Sequence, residues 1–382
     1  MDPRLLALAV GNFVIATGML VVPGMLNEMA ADLGRPVTTV GQLTTAFAVA
    51  VALGAPLLAV TTTRIDRRAL LVFALALCAA AHVGAAIAPG FLALFAARVA
   101  AGFAAALFTP QAAATVGLLV PPEKRGGAMA FVFLGFSVGN IAGLPIGTWV
   151  GAQFGWRTTM AAVAVVALLV MIWTRFALPA KLAVAPLDRR AWGEIARHRG
   201  LVATILVTVL SGTAQFVLFT YIAPAVLATG VTPTTLGLLF MWFGICGFIG
   251  NLIGARTIDR LGPPRVVLIA LGVMLAAFVL WPLTRASLAA TVVVLGLWGL
   301  GCFAANSAQQ VRLVGLSLRL APASVAFNSS AIYLGQALGA VLGAVVIAAV
   351  GLDGLSYAGV AIFIAAIAMS QWAERLGRHP AK

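Results

Sequence analysis

Residues 34–68 read GRPVTTVGQLTTAFAVAVALGAPLLAVTTTRIDRR, and residues 230–264 read GVTPTTLGLLFMWFGICGFIGNLIGARTIDRLGPP. A single shift of 196 positions aligns the two stretches without a gap, and it continues to match residues towards the end of each copy. Matching positions in the first copy include Gly34, Thr38, Thr39, Gly41, Gly54, Arg64, Gly139, Gly143, Gly147 and Gly155. Because an internal repeat determines the architecture, we predict two homologous halves of about 190 residues each.

The composition indicates that the solvent of this chain is lipid. Apolar residues make up 62% of the chain and charged residues 9%, against about 45–50% and 25% in ordinary soluble domains. The apolar runs are interrupted at intervals that suit helices of about 20 residues, the length that crosses the hydrocarbon. The short alternating segments of a membrane barrel are absent from the sequence. We therefore predict an all-α integral membrane protein.

Twelve apolar segments are predicted to span the membrane, six in each half, which gives two pseudo-symmetric six-helix bundles. The predicted spans are 5–26, 38–61, 69–87, 92–119, 127–151, 157–178, 201–226, 234–257, 265–283, 287–310, 322–350 and 355–373. The first bundle takes residues 1–178, a cytoplasmic linker takes 179–200, and the second bundle with a short cytoplasmic tail takes 201–382. The residues before the first span are too few for a signal sequence, so we expect that helix to be retained.

The distribution of lysine and arginine predicts the orientation. Twenty of the 24 basic residues fall on one side of the predicted spans, and three, Arg35, Arg157 and Arg285, fall on the other. The positive-inside rule then places both termini in the cytoplasm. This topology accounts for the net charge of +14, so no nucleic-acid partner is needed to explain it.

The linker between the halves is predicted to contain a short amphipathic helix. Leu187, Trp192 and Ile195 alternate there with charged residues, a pattern typical of a helix that lies on the cytoplasmic leaflet with basic groups facing anionic lipid. We expect a tether between the halves, with a regulatory or partner site as the alternative.

Cysteine and histidine exclude several chemistries. Cys78, Cys246 and Cys302 lie in three separate predicted spans without paired spacing, so neither a disulfide framework nor a metal site is expected. Only His82 of the three histidines lies in a span, where a buried, hydrogen-bonded histidine is the default and a proton relay the alternative. No serine, histidine and acid form a plausible hydrolytic set. We expect no cofactor and no enzymatic activity.

Two halves of six spans joined by a cytoplasmic loop resemble the major facilitator superfamily. Loop 2–3 of that family carries Gly-x-x-x-Asp-Arg-x-Gly-Arg-Arg, and residues 59–68 read AVTTTRIDRR. Its arginines match, and the departures are Ala59, Thr63 and Asp66. Because the family uses this motif to latch neighbouring helices, the resemblance implies a conformational latch at Arg64, Arg68, Asp259 and Arg260. The alternative is that these residues only mark topology.

Arg98 lies seven residues inside the fourth predicted span, about 10 Å deep at 1.5 Å per residue. A charge within the membrane is costly and by default marks function, with a partner expected. The Arg-x-x-x-Gly pattern formed with Gly102 resembles the family's fourth-helix motif, which is linked to proton transfer. Snorkelling of the side chain to the periplasmic surface is the alternative.

The fifth predicted span carries glycines at intervals of four, from Gly135 to Gly151. Such glycines line one helix face and allow another backbone to approach closely. Gly139, Gly143, Pro145 and Gly147 are therefore predicted to pack helices, and they are similar to the signature of the family's exporters. Ordinary close packing is the alternative explanation.

Within the superfamily, the chain looks most like the bacterial drug–proton antiporter branch that includes sugar and nucleoside exporters. The resemblance rests on GNFVIAT at 11–17, EMAADLG at 28–34 and GAPLL at 54–58, and it implies a bacterial inner membrane location. Many members place an acid mid-way along helix one, where this chain has Met19. None of the ten acids lies at the centre of a predicted span, and Glu28 at the periplasmic end of helix one is the nearest. Proton coupling is expected to use Arg98, Glu28 and His82 in some combination, and helix-end solvation is the alternative role of Glu28.

The substrate is expected to bind near the midplane between the halves. Uncharged polar and aromatic residues predicted at that depth are Asn12, Thr17, Phe108, Gln111, Asn140, Gln215, Phe219, Trp242, Asn306, Gln309, Tyr333 and Gln336. Interhelical hydrogen bonds are the alternative role of each amide. Amides and aromatic rings without an acid suit a neutral or amphipathic solute.

We therefore expect a secondary transporter that exports a sugar, nucleoside or drug-like solute by alternating access in exchange for protons. Uncoupled facilitation of the same solute is the alternative. A transport-dead sensor is disfavoured, because the longest polar segment spans only the linker at 179–200. The expected partners are the solute, protons and membrane lipids, and the chain is expected to act as a monomer.

Overall fold

A computed structural model describes residues 2–62, 65–121, 124–180, 182, 190–317 and 319–378. These residues form helices and connecting turns, with no strand among them. The chain divides into two compact units, Met1–Leu187 and Asp188–Lys382. The division falls within the segment that the sequence predicts as a linker.

The first unit contains eight helices among its described residues. They are α1 Pro3–Gly24, α2 Leu26–Leu33, α3 Val37–Thr61, α4 Arg67–Ala86, α5 Phe91–Leu119, α6 Arg125–Val138, α7 Leu144–Phe154 and α8 Trp156–Ala177. A π-helical turn at Gly139–Gly143 joins α6 to α7, so these two helices form one long span.

The second unit likewise contains eight helices among its described residues. They are α9 Arg190–Arg197, α10 Arg199–Phe219, α11 Ile222–Leu227, α12 Pro233–Leu261, α13 Pro263–Leu280, α14 Leu288–Leu316, α15 Ala321–Val350 and α16 Gly354–Arg378. A 3-10 turn at Trp281–Arg285 extends α13.

Twelve segments of the described chain are long and apolar enough to cross a membrane, and each coincides with a predicted span. This confirms the all-α membrane architecture. The first and seventh spans end earlier than predicted, because α1 stops at Gly24 and α10 at Phe219, and each is followed by a short helix. At the second of these breaks, Pro224 has no N–H to donate to the carbonyl of Thr220, four residues earlier.

The backbone repeats the shift of 196 positions that the sequence shows. Gly34 and Gly230 both have positive φ, 59° and 84°, and so do Gly155 and Gly351, 85° and 79°. Each pair ends equivalent helices or loops in the two units. A side chain is strained at positive φ, so the repeated glycines are explained by backbone conformation.

The first and fifth spans of each unit pack in the same register. In the first unit, a methyl group added to Gly139 would lie 2.7 Å from Ala16 Cβ and 3.1 Å from the carbonyl oxygen of Phe13. In the second unit, a methyl group on Gly335 would lie 2.6 Å from the carbonyl oxygen of Val209. Glycine and carbonyl are 126 positions apart in both cases. The spaced glycines therefore allow close approach of two backbones, as the sequence predicts.

The linker helix α9 belongs to the second unit. Ile195 is buried with Leu201, Leu313 and Leu320 in one apolar cluster, so this side chain packs against protein and not against the leaflet on which we expected the helix to lie. Packing in this apolar cluster removes the side chain of Ile195 from water, as contact with lipid would have done. Leu187 and the side chain of Trp192 fall outside the description.

Candidate functional site

Arg98 is held by the backbone of α1. Its side chain is 1% exposed, and Nη1 and Nη2 donate hydrogen bonds to the carbonyls of Gly18 (2.7 Å) and Met19 (3.3 Å). The guanidinium carbon also lies 4.7 Å from the ring centroid of Phe47. Pro23 has no N–H for the carbonyl of Met19, so Arg98 supplies a donor that the helix itself lacks. The partners of this intramembrane charge are thus two carbonyls of α1, one of them freed by Pro23, and the ring of Phe47.

His82 contacts the same part of α1. Its ring is buried, and Nδ1 lies 2.8 Å from the carbonyl oxygen of Cys78, so Nδ1 carries the donated proton. A methyl group on Gly18 would come within 2.6 Å of His82 Nε2. Gly18 therefore lets α1 approach the histidine of α4 and the arginine of α5, which brings together two of the three predicted coupling residues.

Glu28 lies apart from that pair, in the first turn of α2. Its Oε2 is buried and has no hydrogen-bond partner among the described residues. Burial raises the pKa of the carboxyl above its ordinary value of 4.5, and α3, which packs against α2, carries no titratable side chain. A partly buried carboxyl without a counter-ion among the described residues keeps its proton to a higher pH than a free carboxyl does.

Asp32, on the same short helix, has the opposite environment. It is exposed and pairs with Arg157, and its Oδ2 also accepts a hydrogen bond from Trp156 Nε1 at 3.1 Å. The Arg157 hydrogen bond, followed by that of Trp156, lowers the pKa of Asp32 below its ordinary value of 3.8. A second exposed ion pair joins Arg285 and Asp353 in the other unit. These pairs fasten helix ends, whereas Glu28 has no ion-pair partner among the described residues.

Asn12 forms an interhelical tie that the repeat preserves. Its Nδ2 donates to the carbonyl of Val132 at 3.2 Å. In the second unit, Thr208 Oγ1 donates to Asn328 Oδ1 at 2.6 Å. Each pair is 120 positions apart and joins the first span to the fifth. The packing role of Asn12 therefore has structural support, while its Oδ1 is buried without a hydrogen-bond partner among the described residues.

Three predicted glutamines lie inside the second unit. Gln309 Nε2 donates to the carbonyl of Thr204 at 2.6 Å, and Gln215 Oε1 accepts from Trp298 Nε1 at 3.3 Å. The Oε1 atoms of Gln309 and Gln336 are buried and lack a partner among the described residues. This part of the molecule thus presents hydrogen-bond acceptors, which suit the hydroxyl and N–H groups of a neutral solute.

The aromatic candidates divide into a cluster and two separate residues. Phe219 stacks edge-on against Trp298, with 5.8 Å between ring centroids, in a group that continues through Phe243. Phe108 is fully buried against Gly11, which favours a packing role. Trp242 is partly exposed.

The remaining substrate candidates have varied surroundings. Thr17 and Asn140 each donate to a carbonyl one turn earlier in their own helix, at 2.8 Å. Gln111 accepts from Arg67 Nη1 at 2.5 Å. Asn306 is exposed and Tyr333 half-buried. Substrate contact remains a prediction for each of the twelve candidates.

The two predicted latches differ. Arg64 lies outside the described residues, and Arg68 Nη1 donates to the carbonyl of Leu178 at 3.4 Å, so this arginine joins the start of α4 to the end of α8. Asp259 and Arg260 are both exposed, and neither has an ion-pair partner within the described ranges. The second latch therefore stays a prediction.

The glycines and proline of the fifth span shape a bend and a contact. Gly147 meets Val21 and Gly143 meets Thr17, both on α1. Pro145 follows the π-helical turn, in which the N–H of Leu144 bonds to the carbonyl of Gly139. A π turn shifts the hydrogen-bond ladder by one residue and is a common accommodation next to a proline.

The sequence reasoning missed that two arginines are buried, because it counted both as topology markers and Arg67 also as a match to the loop 2–3 motif. Arg67 is 3% exposed and reaches Gln111 on α5. Arg312 is 5% exposed, and its Nη1 and Nη2 donate to the hydroxyl and carbonyl of Ser370, both at 2.9 Å. Their positions near helix ends resemble those of exposed arginines, so no sequence signal separated them.

The match to a protein family accounts for this fold. The model described as Major Facilitator Superfamily matches residues 8–229 and 204–382, and the chain belongs to that family. It is therefore a multi-pass membrane transporter and not an enzyme.

Individual relatives agree with the assignment. The chain is 31% identical over 380 residues to the MFS-type transporter YtbD of Bacillus subtilis (strain 168), with 97% of this chain and 95% of that protein covered. It is 36% identical over 282 residues to a chloramphenicol resistance protein of Streptomyces lividans, with 72% and 70% covered. The crystal structure of a bacterial homologue of the human lysosomal transporter Spinster shares the fold, with a TM-score of 0.78 at 18% identity over 99% of this chain and 98% of that one.

Proposed function

We propose that this transporter exports a small neutral or amphipathic solute, a sugar, nucleoside or drug-like molecule, by alternating access in a bacterial inner membrane. The observation that carries the proposal is the set of buried carboxamides and aromatic rings in the spans, typified by Gln309 and Phe219, without a carboxylate at the centre of any described span. A lipophilic cation would favour a buried carboxylate, and an anion would favour free buried cations. The similarity to a chloramphenicol resistance protein supports a neutral, amphipathic solute. The arginine and lysine distribution supports cytoplasmic termini, and we expect the transporter to act as a monomer.

Protons are the proposed exchange partner, and Glu28 is the proposed exchange site. Its carboxyl is partly buried and has no counter-ion in the described part of the chain, and burial raises its pKa. Arg98 and His82 contact α1 at Gly18, five residues before Pro23, the proline that precedes α2. A change in α2 on protonation of Glu28 therefore acts on α1, because α2 follows α1 directly in the chain and Arg98 and His82 both contact α1.

Reconstitution into liposomes tests the proposal. The vesicles carry an inside-acid pH gradient and a trapped pH dye, and a sugar, a nucleoside, an amino acid and chloramphenicol are added in turn. Alkalinisation triggered by one solute, together with uptake of that labelled solute, is the expected result. If no solute moves, the proposed substrate class is wrong.

Two variants separate proton exchange from a general loss of charge. Glu28→Gln is expected to abolish the solute-induced pH change. Asp32→Asn removes a carboxylate from the same helix, but that group is exposed and paired with Arg157, so proton exchange is expected to persist. Unchanged alkalinisation in the Glu28→Gln protein would remove this residue from the mechanism.

Uncoupled facilitation is the second candidate, and the lack of a mid-span carboxylate favours it. Movement of labelled solute with a flat pH trace in the wild-type vesicles would establish it in place of antiport.

A further inference from the structure

The second unit contains a small cavity at the end where Arg285 and Asp353 form their ion pair. It measures about 130 Å³ and lies between α11, the 3-10 turn at Trp281–Arg285 and the start of α16. The residues that line it include Ala225, Ala228, Trp281, Arg285, Asp353 and Ser356. We call it the Ser356 cavity. The distribution of basic residues predicts that this end of the unit lies at the periplasmic surface.

The repeat allows this place to be compared with its equivalent in the first unit. A methyl group added to Gly18 would lie 3.5 Å from Val163 Cγ1, and one added to Gly359 would lie 3.2 Å from the carbonyl oxygen of Ala214. Ala214 follows Gly18, and Gly359 follows Val163, by the same 196 positions. The shift therefore identifies equivalent positions on α8 and α16 and on the helices that precede α2 and α11.

The first unit fills with side chains the space that the second unit leaves open. The positions 196 residues before Ala225 and Ser356 hold Met29 and Met160, and both methionine side chains are fully buried. Alanine and serine are several heavy atoms shorter than methionine. The cavity thus arises because small residues replace large ones at two facing positions of the repeat.

The charged residues beside this space are also exchanged between the units. In the first unit, Arg157 of α8 pairs with Asp32 of α2. The equivalent of Arg157 is Asp353, and the equivalent of Asp32 is Ala228, which carries no charge. Asp353 pairs instead with Arg285 of the 3-10 turn, so one positive and one negative group stand beside the Ser356 cavity and not across it.

Ser356 brings a buried hydroxyl to the cavity. The residue is 1% exposed, and its Oγ has no hydrogen-bond partner in the part of the chain that the structure describes. A buried polar atom is normally satisfied by protein, water or a ligand. Arg285 and Asp353 join through Nη2 and Oδ1, and within the described ranges neither side chain makes another hydrogen bond. The cavity therefore offers a hydroxyl, further guanidinium N–H groups and a carboxylate oxygen to a ligand.

Exposed apolar residues adjoin the cavity on two helices. Val279 and Leu283 at the end of α13, and Tyr357 and Ile364 on α16, are each more than half exposed. In a membrane span, such side chains face the acyl chains of lipid. Tyr357 also lines the cavity, as does Trp281, and these two residue types are enriched where a membrane meets water. A ligand in the cavity would therefore lie at the lipid boundary.

We propose that the Ser356 cavity binds the headgroup of an aminophospholipid such as phosphatidylethanolamine. The phosphate binds Arg285, and the primary ammonium donates hydrogen bonds to Asp353 Oδ2 and Ser356 Oγ. The acyl chains lie against the exposed apolar residues of α13 and α16. A quaternary ammonium has no N–H to donate, and a glycerol headgroup has no positive charge, so phosphatidylcholine and phosphatidylglycerol bind more weakly. This lipid site is separate from the solute and proton sites proposed above.

Lipid binding to the purified protein in detergent tests the site without any transport solute. Native mass spectrometry measures the affinities for phosphatidylethanolamine, phosphatidylcholine and phosphatidylglycerol, and the first is expected to bind about tenfold more tightly than the others, because its ammonium makes charge-assisted hydrogen bonds. Ser356→Met fills the cavity as Met160 fills its equivalent and should weaken phosphatidylethanolamine binding about tenfold or more. Ala368→Met is the matched control, because it adds the same side chain at an exposed position of α16, and binding should not change. Equal phosphatidylethanolamine binding by the wild-type and Ser356→Met proteins would overturn the site.

A change of charge at the exposed Asp353 tests headgroup recognition even if Ser356→Met does not fold. Asp353→Asn should lower the affinity for phosphatidylethanolamine about tenfold without lowering that for phosphatidylglycerol, so the preference between the two lipids disappears. An unchanged preference would contradict the role of Asp353. Soluble phosphoethanolamine has the same charged groups but no acyl chains, so it should not displace the bound lipid at equal concentration. Displacement at equal concentration would mean that the cavity takes its ligand from water, and the assignment to lipid would be wrong.

Discussion

Replacement of Gly339 by alanine tests the packing of the first and fifth spans most directly. The new methyl group would lie 2.7 Å from the carbonyl oxygen of Thr213, 2.8 Å from Phe216 Cβ and 2.8 Å from Val217 N. Two of these atoms belong to the backbone of α10, so relief requires the helices to separate by about 0.6 Å, a gap that forfeits roughly a quarter of the dispersion energy at the contact. Overpacking of this kind costs about 1–3 kcal/mol, partly offset by the 0.5–1 kcal/mol that alanine gains over glycine in a helix.

Alanine at two further glycines is expected to destabilise the protein less than alanine at Gly339. At Gly143, the position 196 residues earlier, the three atoms nearest the methyl group all belong to the side chain of Thr17. Rotation moves two of them away, and the third, Cβ at 2.9 Å, needs a smaller shift than the 2.7 Å backbone contact at Gly339, so the cost should be smaller. At Gly272 in α13, nothing lies within 4 Å, and alanine should be neutral or slightly stabilising.

Thermal unfolding of the purified variants in detergent measures the order. At about 2–4 °C per kcal/mol for a unit of this size, the net cost of about 0.5–2 kcal/mol should lower the Tm of Gly339→Ala by about 1–8 °C. Gly143→Ala should lower it by less, and Gly272→Ala not at all. If Gly339→Ala and Gly272→Ala unfold at the same temperature, the contact between backbones does not stabilise the protein and the reasoning is refuted.

Three other changes follow from the site. Arg98→Ala should lower the free energy of unfolding by about 1–3 kcal/mol, because a buried carbonyl loses its donor. Pro23→Ala in the same protein should recover part of that loss, because it restores an N–H. A double-mutant cycle on Tm measures this coupling, and additive effects of the two changes would contradict it. Hydrogen bonds from Arg157 and Trp156 lower the pKa of Asp32. The stability that the pair of Asp32 and Arg157 contributes is therefore present above pH 3.8, the ordinary aspartate value, and is lost as the pH falls through the lowered pKa. Asp32→Asn should remove this acid dependence, which stays below about 1 kcal/mol for so exposed a pair. Burial raises the pKa of Glu28, so the stability that its protonated carboxyl contributes to the fold is complete below pH 4.5 and is lost as the pH rises through the raised pKa. Glu28→Gln should therefore be more stable than the wild type at pH 8 and equally stable at pH 4. Thermal unfolding scans at the two pH values measure this difference.

Much of the fold could be predicted because it depends on local composition and on the repeat. Twelve apolar runs of sufficient length admit only helices, since every backbone polar group must be satisfied within lipid. The shift of 196 positions predicts that each contact in one unit has a counterpart in the other, and Gly139 with Phe13 and Gly335 with Val209 are such a pair. The two short helices α2 and α11 were missed, because α11 continues the apolar run of the predicted seventh span and α2 follows α1 after a single residue.

Less of the candidate site could be predicted, because it depends on which side chains face each other across helices. Arg98 was identified by its depth, but its attachment to the carbonyl freed by Pro23 joins positions far apart in the chain. The opposite environments of Glu28 and Asp32, one turn apart, follow from burial and from the approach of Arg157. No spacing within residues 26–33 distinguishes the two acids.

The sequence by itself determined that the chain is a two-fold repeat of six apolar helices with glycines at the close contacts. These properties are local, since the apolar length, the periodicity and the glycine conformation are written into consecutive residues. Only the tertiary structure decided that Arg67 and Arg312 are buried and that Asp66 binds the linker. A long side chain at a helix end can turn to water or into the bundle, and the neighbouring helices that offer it acceptors decide which.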